Sequence, residues 1–248
     1  SGDTPIRAAA YTHAANLVWK KGEHFSAETF YRESLKCATA LGETSVQAKA
    51  LTGLGTLALK HRGDVEGARS SFQAALELTE ANGDNANGAV ALRGLGNLSL
   101  DQGNYQRART YYEAAQKLEH ELGNPHNRAQ THINLATVLV YLGELGRAHA
   151  LNQEALELFR KVGDKHGTAI ALLNIGFDYE GSDRSKGNVY YQESLQLFRD
   201  LGDKRMVSHL LNNLGGNFQR LGELDKAKEH LTESLTIQQQ VGDVSLIA

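Results

Sequence analysis

Apolar residues along this chain recur at intervals of three and four and nowhere alternate with period two. From Ala89 onward, Leu92, Leu95 and Leu98 form a stripe that Gly103-Asn104 closes. Tyr105, Ala108, Tyr111, Tyr112, Ala115 and Leu118 then form a second stripe, ended by Gly123. The spacing predicts a helix, a short turn and a second helix, with no sheet. The terminal chemistry agrees: a glycine past a helix end adopts the left-handed cap, and the Asp or Asn after it accepts hydrogen bonds from the next helix's free amides. Asn124-Pro125 adds a proline at a first helical position, where its missing N–H is harmless. Two prolines against 25 glycines suit long helices separated by glycine turns.

This unit repeats. A Gly-acid or Gly-Asn pair recurs at Gly42, Gly83, Gly123, Gly163, Gly202 and Gly242, with spacings of 41, 40, 40, 39 and 40. A small residue keeps the same five spacings at Ala27, Ala68, Ala108, Ala148, Gly187 and Ala227, and turn glycines fall between at Gly22, Gly63, Gly103, Gly143 and Gly222. Two marker series sharing one period over six units define a tandem array. The expected units are 5–43, 44–84, 85–124, 125–164, 165–203 and 204–243. The fifth is a residue short around 179–183, which predicts an irregular turn. Ser1-Gly2 reads as a cloning scar, and 244–248 as the start of a seventh unit belonging to a longer chain.

The slots of these units resemble the tetratricopeptide signature. Leu95-Gly96 in a first helix is followed by Ala108, Tyr112 and Ala115 in the second. Leu54-Gly55, Ala68, Phe72 and Ala75 repeat the pattern, as do Ile175-Gly176, Gly187, Tyr191 and Ser194, and Leu214-Gly215, Ala227, Leu231 and Ser234. The fourth unit departs, with Ala136 for the glycine and Asn152 for the aromatic, and the usual late proline is absent. A period near forty is similar to the longer variant of kinesin light chains, spindle-orientation adaptors, and the sensor arms of bacterial signalling ATPases and maltose-regulator-like activators. The phrase Leu201-Gly-Asp-Lys204 looks most like the bacterial group. The resemblance implies an all-α, right-handed superhelical solenoid of six helix-turn-helix repeats that binds protein or peptide and catalyses nothing.

Composition narrows the partners. Forty-one per cent apolar residues supply a core, and the mean hydropathy is -0.42. No apolar run approaches the roughly 18 residues a membrane helix needs, and no leader is visible. The single cysteine, Cys37, fits a reducing cytoplasm and reads as a small buried residue. With 26 basic against 29 acidic residues mixed throughout, there is no basic footprint for nucleic acid and no polybasic membrane patch. Ten scattered histidines make no metal-ligand spacing, and Gly53-x-Gly55 and Gly94-x-Gly96 lie within helices with no preceding strand. Neither an enzyme, a cofactor nor a metal is expected.

In the resembled family the first helices line a concave groove. One groove slot then holds His13, Gly53, Gly94, Asn134, Asn174 and Asn213; the next holds Asn16, Thr56, Asn97, Thr137, Phe177 and Gly216. Near the helix ends lie Trp19, Lys20, Lys60, Asp101, Tyr141 and Arg220. A carboxamide offers both donor and acceptor, so Asn134, Asn174 and Asn213 suit a partner's main chain; equally, they suit bonds between neighbouring helices. Trp19, Tyr141 and Phe177 are candidate anchors, although Trp19 also suits a cover for the first hairpin. Lys20, Lys60, Arg93 and Arg220 fit an acidic partner or a solvated face. Two roles follow: a sensor or scaffold arm capturing a protein segment, or a self-association module stacking through exposed repeat ends. A small ligand in the groove is a third.

Overall fold

In a computed structural model, which describes residues 4–242, the chain is an all-α helical-repeat solenoid. The suspected scar and the residues 244–248 lie outside the described residues. The chain divides into two compact units, Ser1–Asn124 and Pro125–Ala248. In the first, α1 (Pro5–Lys20) pairs with α2 (His24–Leu41), α3 (Thr44–Leu57, continued by a π-turn over Ala58–Arg62) with α4 (Val65–Asn82), and α5 (Asn85–Asp101) with α6 (Tyr105–Leu122). In the second, α7 (Pro125–Tyr141) pairs with α8 (Leu145–Val162), α9 (Lys165–Asp178) with α10 (Arg184–Leu201), and α11 (Lys204–Arg220) with α12 (Leu224–Val241).

The ends form as the residue types dictate. Second helices close on Gly42, Gly83, Gly123, Gly163, Gly202 and Gly242, all near φ +70°, where a side chain would be strained. Asp84, Asp164 and Asp203 then cap the next helix, accepting from the amides of Asn87, Gly167 and Met206 at 2.9–3.1 Å. Glu43, one methylene longer, makes no such bond.

The unequal spacings have local causes. Glu43 and Asp64, the residues preceding α3 and α4, are 21 apart, against 20 for Asp84 and Asn104 and 19 for Asp164 and Asp183. The extra residue of the second hairpin is absorbed by the π-turn at Ala58–Arg62, the usual way a helix accommodates an insertion. The missing one shortens the turn after Asp178, where Gly181 lacks the positive φ of Gly22, Gly63, Gly103, Gly143 and Gly222. The irregularity expected at 179–183 is present; the π-turn was not foreseen.

Rings from the second helices lock the first, second, third and fifth hairpins. Phe72 is 3% exposed, and its ring lies where a Cβ on Gly55 or Gly94 would approach within 2.8 or 2.5 Å. Tyr112 sits against Gly96, and Tyr191 against Gly176, in the same way. In these hairpins glycine makes room for the ring, while in the first hairpin Ala15 holds the corresponding slot in the cluster with Tyr31. In the alanine slot one turn further on, serines add a tether: Ser34, Ser194 and Ser234 donate to the carbonyls of Ala8, Ala169 and Ser208 at 2.7–2.9 Å. Cys37 is buried beside Ala8 and Ala38.

His132 on α7 is a polar group inside this packing, 2% exposed. Burial, and then the nearby Arg128 charge, push its imidazole down to about 4. The unfolded chain takes up that proton near pH 6.5 and the folded chain does not. Stability is therefore full above 6.5 and falls as pH drops toward 4, by up to about 1.4 kcal/mol per pH unit. Melting temperatures measured between pH 7 and 4.5 are expected to decline less steeply in His132→Leu than in the parent; parallel declines refute this role.

Candidate partner-binding face

The first helices of each unit carry the candidate residues. In the first unit α1, α3 and α5 enclose a cavity of about 480 Å³, lined among others by His13, Asn16, Trp19, Gly53, Thr56 and Asn87. Tyr31 reaches it from α2, and its hydroxyl donates to Asn16 Oδ1. Burial raises the Tyr31 pKa above the usual phenol value, so the ring stays a donor. The half-buried Trp19 lies 4.8 Å from the His24 ring and packs on the cluster of Ala15, Ala27, Tyr31 and Leu57. It both lines the cavity and covers the hairpin. Thr56 returns its hydroxyl to the Thr52 carbonyl at 2.9 Å, and Lys20 and Lys60 are exposed.

Two residues anticipated on this face are directed toward the second helices. Asn97 Oδ1 accepts from the Tyr112 hydroxyl at 2.6 Å, as Asn16 does from Tyr31. The Arg93 guanidinium bonds Glu119 on α6 at 2.6 Å, with side-chain exposures of 13% and 1%. Gly94 is buried under Phe72 and offers no open surface.

In the second unit, Asn134, Asn174 and Asn213 are half-buried on α7, α9 and α11. The carboxamides of Asn174 and Asn213 have no hydrogen-bond partner among the described residues. Thr137 returns its hydroxyl to the Ile133 carbonyl at 3.0 Å. Tyr141 and Phe177 stand 60% and 52% exposed, and Arg220 is exposed at the end of α11. The structure brings Thr137, Tyr141, Asn174 and Phe177 together around a cavity of about 180 Å³. Asn152 and Asp178 also line it, and neither stood out in the sequence as a site residue. The available signal was that Asn152 occupies the aromatic slot.

Among the described residues no cluster of His, Cys, Asp and Glu could hold a metal ion, and no helix is long and apolar enough to cross a membrane. Paired helices repeating at this period, with glycine seats for second-helix rings, define a helical-repeat interaction scaffold. A tetratricopeptide repeat model matches residues 47–118, 89–161 and 189–240, and the chain belongs to that family. Solved structures similar to it include BtubC from P. vanneervenii, at 22% identity, a TM-score of 0.76 and coverage of 87% of this chain and 91% of that one. Another is the signal transduction ATPase with a tetratricopeptide repeat sensor from Pyrococcus horikoshii (15%, TM-score 0.72, 95% of this chain and 37% of that one). A Rap protein complexed with competence and sporulation factor matches at 12%, with a TM-score of 0.69 over 96% of this chain and 76% of that one. These identities establish the fold alone. Comparison with curated proteins gave no match.

Proposed function

We propose that the chain is the sensor or scaffold arm of a larger signalling protein, capturing a protein or peptide segment on the face of its first helices. The observation that carries this reading is the unpartnered pair Asn174 and Asn213, one repeat apart on α9 and α11, with Asn174 lining a cavity beside the exposed rings of Tyr141 and Phe177. Carboxamides at that interval bond a main chain without reading its side chains, while exposed rings supply the apolar anchors. The Rap protein's complex with competence and sporulation factor and the sensor role named for the Pyrococcus protein support the same role here.

Joint replacement of Asn134, Asn174 and Asn213 by alanine is expected to weaken capture of the partner roughly 10- to 100-fold, one modest hydrogen bond per carboxamide. The measurement is biolayer interferometry against the protein recovered by pull-down. Unchanged affinity, together with an oligomer that dissociates on dilution, would replace the groove reading by self-association through the repeat ends.

A further inference from the structure

The fourth hairpin lacks its ring. Where Tyr31, Phe72, Tyr112 and Tyr191 fill the second-helix slot, α8 carries Asn152. Where Gly55, Gly96, Gly176 and Gly215 lie against the side chain in that slot, α7 carries Ala136. Alanine in this slot is not by itself a departure from a ring seat, since Ala15 on α1 holds it opposite Tyr31; on α7 the alanine faces a second-helix slot that carries no ring. What remains is the cavity of about 180 Å³ between α7, α8 and α9, lined by Ala136, Asn152, Asn174 and Asp178, with Tyr141 and Phe177 at its exposed side.

Its polar groups call for a donor. Asn152 is 2% exposed; its Nδ2 donates to Asp178 Oδ2 at 3.1 Å, and its Oδ1 is buried without a hydrogen-bond partner. The orientation of the amide is fixed by chemistry, since the reverse would set a carbonyl oxygen against a carboxylate. Asp178 Oδ2 is also 2.9 Å from His149 Nδ1, which leaves Oδ1 of the carboxylate available. A buried acceptor without a donor is costly in a folded protein. Here two acceptors, one anionic, line a space left by a planar ring.

We propose that this vacated ring slot is a specificity pocket for an arginine side chain of the bound segment. The planar guanidinium takes the place of the missing ring, donates to Asn152 Oδ1 and Asp178 Oδ1, and lies against the Tyr141 and Phe177 rings on its way in. Arginine fits this set because it is planar, always charged and carries five donors. The pocket rests on the reading of the first-helix face as the partner-binding face.

The test uses the peptide acetyl-Ala-Arg-Ala-amide and its citrulline counterpart, which keeps the planar shape and loses the charge. Each is titrated into the 248-residue chain, with ¹H–¹⁵N spectra reporting on the Asn152 and Asn174 side-chain amides. The arginine peptide is expected to give saturable shifts at those amides, and the citrulline peptide to bind roughly tenfold more weakly, as loss of a charge-assisted bond requires. In D178N the two peptides bind within about twofold of each other. In A136G/N152F, which copies the Gly55–Phe72 seat, the shift at the remaining Asn174 amide disappears. A136G/N152L copies the Gly215–Leu231 pair and is the second filled variant, each checked for an intact helical melt. Equal binding of the two peptides by the parent chain, discrimination that survives D178N, or shifts that survive in a folded filled variant overturns the proposal. Loss of the pocket alone, with partner capture still sensitive to the asparagine triple variant, removes the arginine site and leaves the proposed function standing.

Discussion

Tyr112→Ala is expected to lower the unfolding free energy by about 3–5 kcal/mol, the range for truncating a fully buried aromatic side chain. The ring has no exposed surface and is seated against Gly96 so closely that a Cβ there would approach within 2.5 Å. Nothing beside a glycine can swing in to fill the space, so collapse around the cavity is limited. The hydroxyl is a smaller part of the loss. Tyr112→Phe removes its 2.6 Å bond to Asn97 and is expected to cost about 1 kcal/mol. Urea unfolding by circular dichroism measures both. Since repeat arrays unfold segment by segment when one interface weakens, a broadened first transition is part of the expected result for the alanine variant. A loss below about 1 kcal/mol there would show that the ring is not the keystone of its hairpin.

Arg93→Met is expected to cost about 3–5 kcal/mol, because it removes the guanidinium from a carboxylate that is 1% exposed. Burial lowers the Arg93 pKa from its ordinary value, and the Glu119 charge opposes that shift, so the guanidinium remains a cation held by its partner. Replacing Glu119 by leucine at the same time is expected to return most of the stability. Two charges removed together leave no desolvated ion behind, whereas one removed alone does. A double-mutant cycle reads the coupling directly. If Arg93→Met is nearly neutral, or if the double variant is as unstable as the sum of the singles, the pair is not a buried bridge between α5 and α6.

This pair also marks where sequence reasoning ran out. Arg93 lies beside a groove slot in the repeat frame, and a frame of forty residues cannot tell whether a long flexible side chain reaches outward or back to its own hairpin. That choice depends on Glu119, 26 positions away on α6. Asn16 and Asn97 were legible as first-helix carboxamides, but not as acceptors for Tyr31 and Tyr112. The 41-residue spacing between Gly42 and Gly83 is compatible with either a longer loop or a widened helical turn. The chain widened α3 into a π-turn, which keeps backbone groups bonded where a loop would expose them.

The sequence by itself determined the helical hairpins, their glycine caps, the period and the family, because these follow from short-range rules: apolar spacing, backbone freedom at glycine, and small residues where helices touch. It also marked the fourth hairpin as the odd one, through Ala136 and Asn152. The tertiary structure alone decided what those departures mean. Whether a missing ring leaves a collapsed contact or an open cavity depends on how α7, α8 and α9 pack around it. The acceptor character of the space between Tyr141 and Phe177 arises from Asp178 on α9 meeting Asn152 and His149 on α8, a conjunction no repeat alignment contains.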